Sequence, residues 1–153
     1  MYDHPLFQDH RPYTRWWWFY DDVKLEDITR QLQWVRDYHF GGVEIAWMYP
    51  QPGASKGPRW LSPQWTDLVL FAKTESDRLG LGCDFTFSTA WPFGGSIVPE
   101  KDAAQVFGGL STQRMEKPWE LSYFGRGYIL NHLDRDAVER YGNKVGTALK
   151  PAM

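Results

Sequence analysis

VEIAW, residues 43–47, follows a pair of glycines and precedes a loop rich in proline and glycine, and its reading decides the fold. A short apolar run bounded in this way fits a buried strand. Upstream, Leu25, Ile28, Leu32 and Val35 recur at helical spacing, while Arg30, Gln33, Arg36 and Asp37 occupy the other face. This predicts an amphipathic helix over residues 25–38, stopped by Gly41 and Gly42. Before it, TRWWWFY (14–20) is continuous, aromatic and β-prone, a second buried strand closed by Asp21 and Asp22. Downstream of VEIAW, residues 48–61 read as a loop. Ser62-Pro63 then supplies an N-cap and a first-turn proline. Trp65, Leu68, Val69 and Ala72 carry the apolar face of that helix, which runs to about residue 79 and ends at Gly80 and Gly82. CDFTFST (83–89) is a third strand. The loop AWPFGG (90–95) and a short helix over residues 100–106 are expected after it.

The order strand, helix, strand, helix, strand argues for parallel pairing through right-handed crossovers. The expected fold class is α/β, a partial (β/α) TIM-type barrel. A closed barrel takes about 250 residues and this chain has 153, so only part of one is expected. Residues 1–13 read as a lead-in segment and 14–107 as the first βα units. Residues 108–127 read as an irregular connection. A short strand over 128–130 and a polar helix over 134–149, with Ala137, Val138 and Tyr141 as its apolar stripe, make up the span 128–153.

Bulk composition narrows the function. Apolar residues are 42% and charged residues 24% of the chain, and the net charge is −2 with no basic run. A nucleic-acid partner would want a positive patch. No apolar stretch is long enough for a membrane span. Residues 1–10 do not resemble a signal peptide, so a cytoplasmic location is expected if Met1 is the genuine start. Cys83 is the one cysteine and sits in an apolar run, which suits a buried inert thiol. His4, His10, His39 and His132 lack the spacing of a metal pair. Aromatic rings make up 17% of the chain, with nine tryptophans. Rings stack on the C–H faces of sugars, and they also fill cores.

In parallel β/α sheets, ligands bind beyond the carboxyl ends of the strands. That rule points to residues 18–22, 44–49 and 88–95, and nominates Trp18, Glu44, Trp47 and Trp91 as carbohydrate contacts. Strand alternation turns Val43, Ile45, Cys83, Phe85 and Phe87 toward helices and leaves Glu44, Ala46, Asp84, Thr86 and Ser88 inward. An inward Glu44 needs a partner, and Arg15 is the candidate. This leaves two roles for Glu44, a structural pair with Arg15 or a contact to sugar hydroxyls. Glycoside hydrolysis normally uses two flanking carboxylates. The strand ends offer Glu44 at most, so no catalytic pair is assigned.

Several segments in order, RPYTRWWWF (11–19), GGVEIAWMYP (41–50), LSPQW (61–65), DFTFSTAWPFGG (84–95) and DAAQ (102–105), resemble the α-L-rhamnosidase family, glycoside hydrolase family 106. The resemblance implies a TIM-barrel catalytic domain, hydrolysis of polysaccharide side chains with inversion, a carbohydrate partner, and a calcium ion near the sugar whose ligands have no counterpart to place here. The family's acid and base glutamates lie on later barrel strands, and no position here matches them. YILNHLDRDAVERY (128–141) is similar to a later family segment but has Asn131 where aspartate is expected. The connection between Gln105 and Tyr128 is also shorter than the family's. The reading that follows is a glycosidase fragment inactive alone. A non-catalytic carbohydrate-binding module and a partial barrel completed by another chain, self-associating through exposed strand edges, are the alternatives.

Overall fold

A computed structural model describes residues 11–19, 22–48, 57–89, 92–107, 114–118 and 127–152. The chain divides into two compact units, Met1–Thr86 with Leu149–Met153, and Phe87–Ala148.

The first unit is α/β. Strand β1 (Tyr13–Trp18) leads to helix α1 (Leu25–Asp37), strand β2 (Gly42–Trp47), helix α2 (Pro63–Leu79) and strand β3 (Gly82–Phe85). The three strands form one sheet in the order β1-β2-β3, and both pairings are parallel. Parallel neighbours need a crossover, which is why a helix separates each pair. The alternation predicted from sequence is therefore present, with β3 shorter than residues 83–89. Thr86 still donates its N–H to Ile45 O at 2.9 Å, but Ser88 turns its hydroxyl to the Gly94 backbone, a local bond that competes with strand pairing.

Each helix has a physical reason for its limits. The Ser62 hydroxyl accepts the Trp65 N–H at 3.3 Å and caps α2, with Pro63 in its first turn. Gly80 ends α2 at φ 67°, left-handed backbone that suits glycine. Trp65, Val69, Ala72, Ser76 and Leu79 form its buried stripe. Helix α1 has no side-chain cap, but Glu26 and Asp27 stand in its first turn, where the helix dipole favours negative charge. Its left-handed exit is taken by His39, φ 63°, and not by the glycines that follow.

Those glycines serve close packing instead. The register aligns Tyr13, Gly42 and Gly82 across the sheet. A Cβ on Gly42 or Gly82 would collide with the Tyr13 ring. Tyr13 thus lies over two residues that have no side chain, filling the amino-terminal end of the sheet's helix-free face. The next row on that face is Arg15, Glu44 and Asp84. Above it Trp17 is aligned with Ala46.

The helix-covered face holds the core. Val43, Ile45, Ile28, Leu32, Val69 and Ala72 are each at most 1% exposed. A chain of edge-to-face rings runs through it, from Trp16 to Trp18, Trp47 and Trp65, with centroids 5.2–6.0 Å apart. Edge-to-face contact is the favoured geometry of aromatic pairs. Cys83 faces this side, and burial pushes its thiol up to about 11, which makes it a poor nucleophile.

The second unit corrects two expectations. The helix expected over residues 100–106 is a single 3-10 turn, Glu100–Asp102, followed by strand β5 (Gln105–Phe107). The Asp102 carboxylate is taken by Arg140 at 2.7–3.2 Å, and Ala104 donates its N–H to Ile129 O. These contacts, distant in sequence, override a weak helical preference. The connection expected to be irregular contains strand β6 (Arg114–Pro118), antiparallel to β5. The short strand expected over 128–130 forms as Tyr128–Ile129, which we label β7. It pairs antiparallel with Gly94–Gly95, β4. Helix α3 (Arg135–Leu149) closes the unit, with Ala137, Tyr141 and Val145 buried at four-residue spacing and Val138 exposed. The Asp134 carboxylate caps its first turn. Asn131 uses its side-chain oxygen to hold the Leu133 N–H at 3.1 Å.

Candidate functional site

Glu44 is at the centre of the helix-free face of the parallel sheet. Its side chain points away from α1 and α2 because Val43 and Ile45, its chain neighbours, point into them. Arg15, its register partner on β1, donates from Nε at 2.9 Å and Nη2 at 2.7 Å, both to Oε2. Thr86 donates from Oγ1 to Oε1 at 2.8 Å. Burial alone would push the Glu44 carboxyl up, but the Thr86 hydroxyl, the Arg15 hydrogen bonds and the Arg15 charge together hold it below the usual carboxylate range. The pair is half open to solvent, with Arg15 44% and Glu44 32% exposed at the side chain. The result is an ionised carboxylate in a fixed orientation, with room for a further donor.

Asp84 is the next residue in the same row, aligned with Glu44 from β3. Burial first, and then the Glu44 charge, push its carboxyl up. These two carboxylates stand side by side on one wall of a sheet. Hydrolysis of a glycosidic bond needs two that flank it, an arrangement different from two carboxylates side by side.

Of the three nominated contacts among the described residues, Glu44 alone is on this face. Trp18 is 3% exposed and Trp47 1% exposed. Both belong to the ring chain beneath the helices, where Trp47 meets Trp65 of α2. Trp91 lies outside the described residues. The tryptophan of β1 that does reach the helix-free face is Trp17, 44% exposed. It is stacked against Phe19 with centroids 6.1 Å apart, and the Arg15 guanidinium carbon is 5.6 Å from its centroid. Its position was available from the sequence, because an inward Arg15 puts Trp17 inward two residues later and Trp18 outward.

Two clefts flank β1, and neither includes Glu44 or Asp84. One of about 320 Å³ lies between β1 and α1, lined by Trp16, Trp34, Val35, Tyr38 and Phe40. One of about 200 Å³ lies near Trp18, Phe19 and Asp22. The larger is mainly apolar, with Thr14, Arg30 and Gln31 as its polar lining and the Gln31 side-chain oxygen taken by the Trp16 indole N–H, whereas the Glu44 row gathers ionised groups on one face. The calcium ion implied by the family resemblance does not fit that row. Calcium takes six to eight oxygen ligands, whereas both Glu44 oxygens already accept hydrogen bonds and one of them faces a guanidinium. Among the described residues no three His, Cys, Asp or Glu side chains converge as metal ligands, and no helix is long and apolar enough to cross a membrane.

Comparison with known proteins agrees with this architecture. A solved rhamnosidase from Novosphingobium sp. PP1Y superposes with a TM-score of 0.52 at 24% identity, over 71% of this chain. The matched part is 12% of that protein's length. At this identity the likeness speaks to the fold alone. No curated protein matches the chain. The family model for α-L-rhamnosidase matches residues 6–112, more than half of the sequence, and includes every residue of the parallel sheet and of the Glu44 row. By that match the chain belongs to glycoside hydrolase family 106, the α-L-rhamnosidase family.

Proposed function

We propose that this chain is the opening part of a (β/α)-barrel glycosidase of α-L-rhamnosidase type, and that it holds a terminal rhamnose-type sugar while the catalytic acid and base come from other segments. The observation that carries this reading is the Glu44 carboxylate, ionised and oriented by Arg15 and Thr86 on the helix-free face of a parallel sheet. In a closed barrel that face is the interior, and its inward side chains stack in layers. The rows Tyr13-Gly42-Gly82 and Arg15-Glu44-Asp84 fit such layers. The first is filled by one large ring over two glycines, and the second is polar and open. Trp91 keeps the role of a stacking ring on its place in the sequence after β3. Trp18 and Trp47 serve as the packed backing of the β1 and β2 ends.

Titration of the full chain with methyl α-L-rhamnoside, followed by calorimetry and by amide chemical shifts, tests the proposal. Saturable binding that Glu44→Gln weakens is the expected result. The chain alone is expected to leave aryl α-L-rhamnosides intact. Turnover at the rate of a complete glycosidase, or no binding of any rhamnoside, would overturn it.

A further inference from the structure

Asp84 differs from Glu44, its neighbour in the row, and from Glu75 and Asp77 at the end of α2. Glu44 is held by Arg15 and Thr86, Glu75 by Arg78 and Thr29, and Asp77 by Lys73. Asp84, among the described residues, has no hydrogen bond and no ion pair. Its nearest charged neighbour in the row is another carboxylate. Parallel strands are about 4.8 Å apart, and like charges directly opposite each other destabilise a sheet. Arg15 cannot relieve Asp84, because Arg15 is on β1 and β2 stands between them. The row therefore presents one carboxylate held by two protein partners, with room for a further donor, beside one whose acceptor sites are all open, with the exposed part of Trp17 on the same face.

We infer that Asp84 is a second sugar contact, accepting hydrogen bonds from a vicinal diol, and that Glu44 and Asp84 together read neighbouring hydroxyls of one ring. The inference rests on the carbohydrate reading above. The oxygens of one carboxylate match the spacing of two adjacent ring hydroxyls, and each hydroxyl is a donor that a carboxylate can accept. Bound hydroxyls supply the hydrogen bonds that Asp84 lacks and offset the repulsion from Glu44. A neutral polyol suits the row better than a cation does, since the Arg15 guanidinium already supplies positive charge to it. Trp17 offers apolar surface to the ring C–H groups, so the face has both halves of a sugar-binding surface.

The test uses the full chain, its Asp84→Asn variant, methyl α-L-rhamnoside, and the 2-deoxy and 3-deoxy analogues of that glycoside. The expected result is that Asp84→Asn weakens rhamnoside binding about tenfold, the scale of a hydrogen bond to a charged group. At least one deoxy analogue should bind wild-type protein more weakly than the rhamnoside by a similar factor and lose little further affinity in the variant. Thermal stability of Asp84→Asn should be equal or higher, because the variant removes a like-charge contact; a lower melting temperature marks a structural residue and overturns the inference. Rhamnoside binding that neither Asp84→Asn nor loss of a hydroxyl weakens also overturns it, and leaves the carbohydrate reading standing. Absence of rhamnoside binding to wild-type protein sinks the carbohydrate reading itself, and this inference with it.

Discussion

Thr86 donates a 2.8 Å hydrogen bond to Oε1 of Glu44, the oxygen that Arg15 leaves to it. The bond ties β3 to β2 through side chains one step beyond the last paired residue of β3. It also fixes the charge state of the site, because Glu44 is held below its ordinary value of 4.5. A carboxylate depressed in the folded state adds stability above its unfolded pKa, and that stability is lost as pH falls through the folded value. Thr86→Val should remove part of this. We expect a loss of about 1 kcal/mol at neutral pH, less than the roughly 1.5–3 kcal/mol usual for a hydrogen bond to a charged group because Glu44 is partly exposed. The loss should shrink in acid. Denaturant midpoints measured from about pH 3 to pH 7 check this, and parallel curves for wild type and variant would contradict it.

Tyr13 and Gly82 offer a second test, independent of any ligand. A methyl group at position 82 would collide with the Tyr13 ring. Gly82→Ala should therefore cost about 1–3 kcal/mol, the usual range for overpacking. Tyr13→Leu in the same chain should restore much of that, and the two changes should be non-additive by at least 0.5 kcal/mol in a double-mutant cycle, about the smallest coupling expected for residues in contact. Additive costs would mean that the ring does not lie over the glycine.

How far the sequence could be read follows from which contacts are local. The βαβαβ order was legible because periodicity, the Ser62 cap and the glycines near residues 80–82 are all short-range signals. Strand parity also reached the Arg15–Glu44 pair, since a lone inward carboxylate demands a partner. Parity extended to residues 17 and 18 would have exchanged Trp18 for Trp17 on the helix-free face. The second unit was less legible. The 3-10 turn ending at Asp102 is secured by Arg140, 38 residues later, and no local pattern encodes that pairing. Strand β6, RMEKP, has no apolar alternation to betray it.

Comparing Trp17 with Trp47 tests binding against packing. Trp47 is 1% exposed between Trp18 and Trp65, so Trp47→Ala should cost about 3–5 kcal/mol, typical of a large ring removed from a core. Trp17→Ala should cost less than half as much, because the ring is 44% exposed, while weakening rhamnoside binding. Thermal melts and calorimetric titration of the two variants check the contrast. A larger stability loss for Trp17→Ala would return Trp17 to the core.

The Arg140–Asp102 pair makes the last prediction. Asp102 is 2% exposed, and its carboxylate accepts from Arg140 Nε and Nη2. The Arg140 hydrogen bonds are the main reason its carboxyl is held low. Arg140→Met keeps the apolar stem but leaves a buried carboxylate unpaired. Breaking a fully buried pair costs about 3–5 kcal/mol. The Arg140 side chain is 42% exposed, so solvent screening leaves the expected loss well below that of a fully buried pair. Its pH dependence has a definite sign. The stability that Arg140 lends through Asp102 is present above the ordinary aspartate value of 3.8 and disappears as Asp102 protonates below it. Wild type and Arg140→Met should therefore differ most at neutral pH and converge in acid. Asp102→Asn in the Arg140→Met background should recover part of the loss, because it replaces an unpaired charge with a neutral amide. Urea unfolding of the three chains at neutral and acidic pH measures both effects. A constant difference across pH, with no recovery in the double variant, would show that Arg140 stabilises α3 through its stem alone.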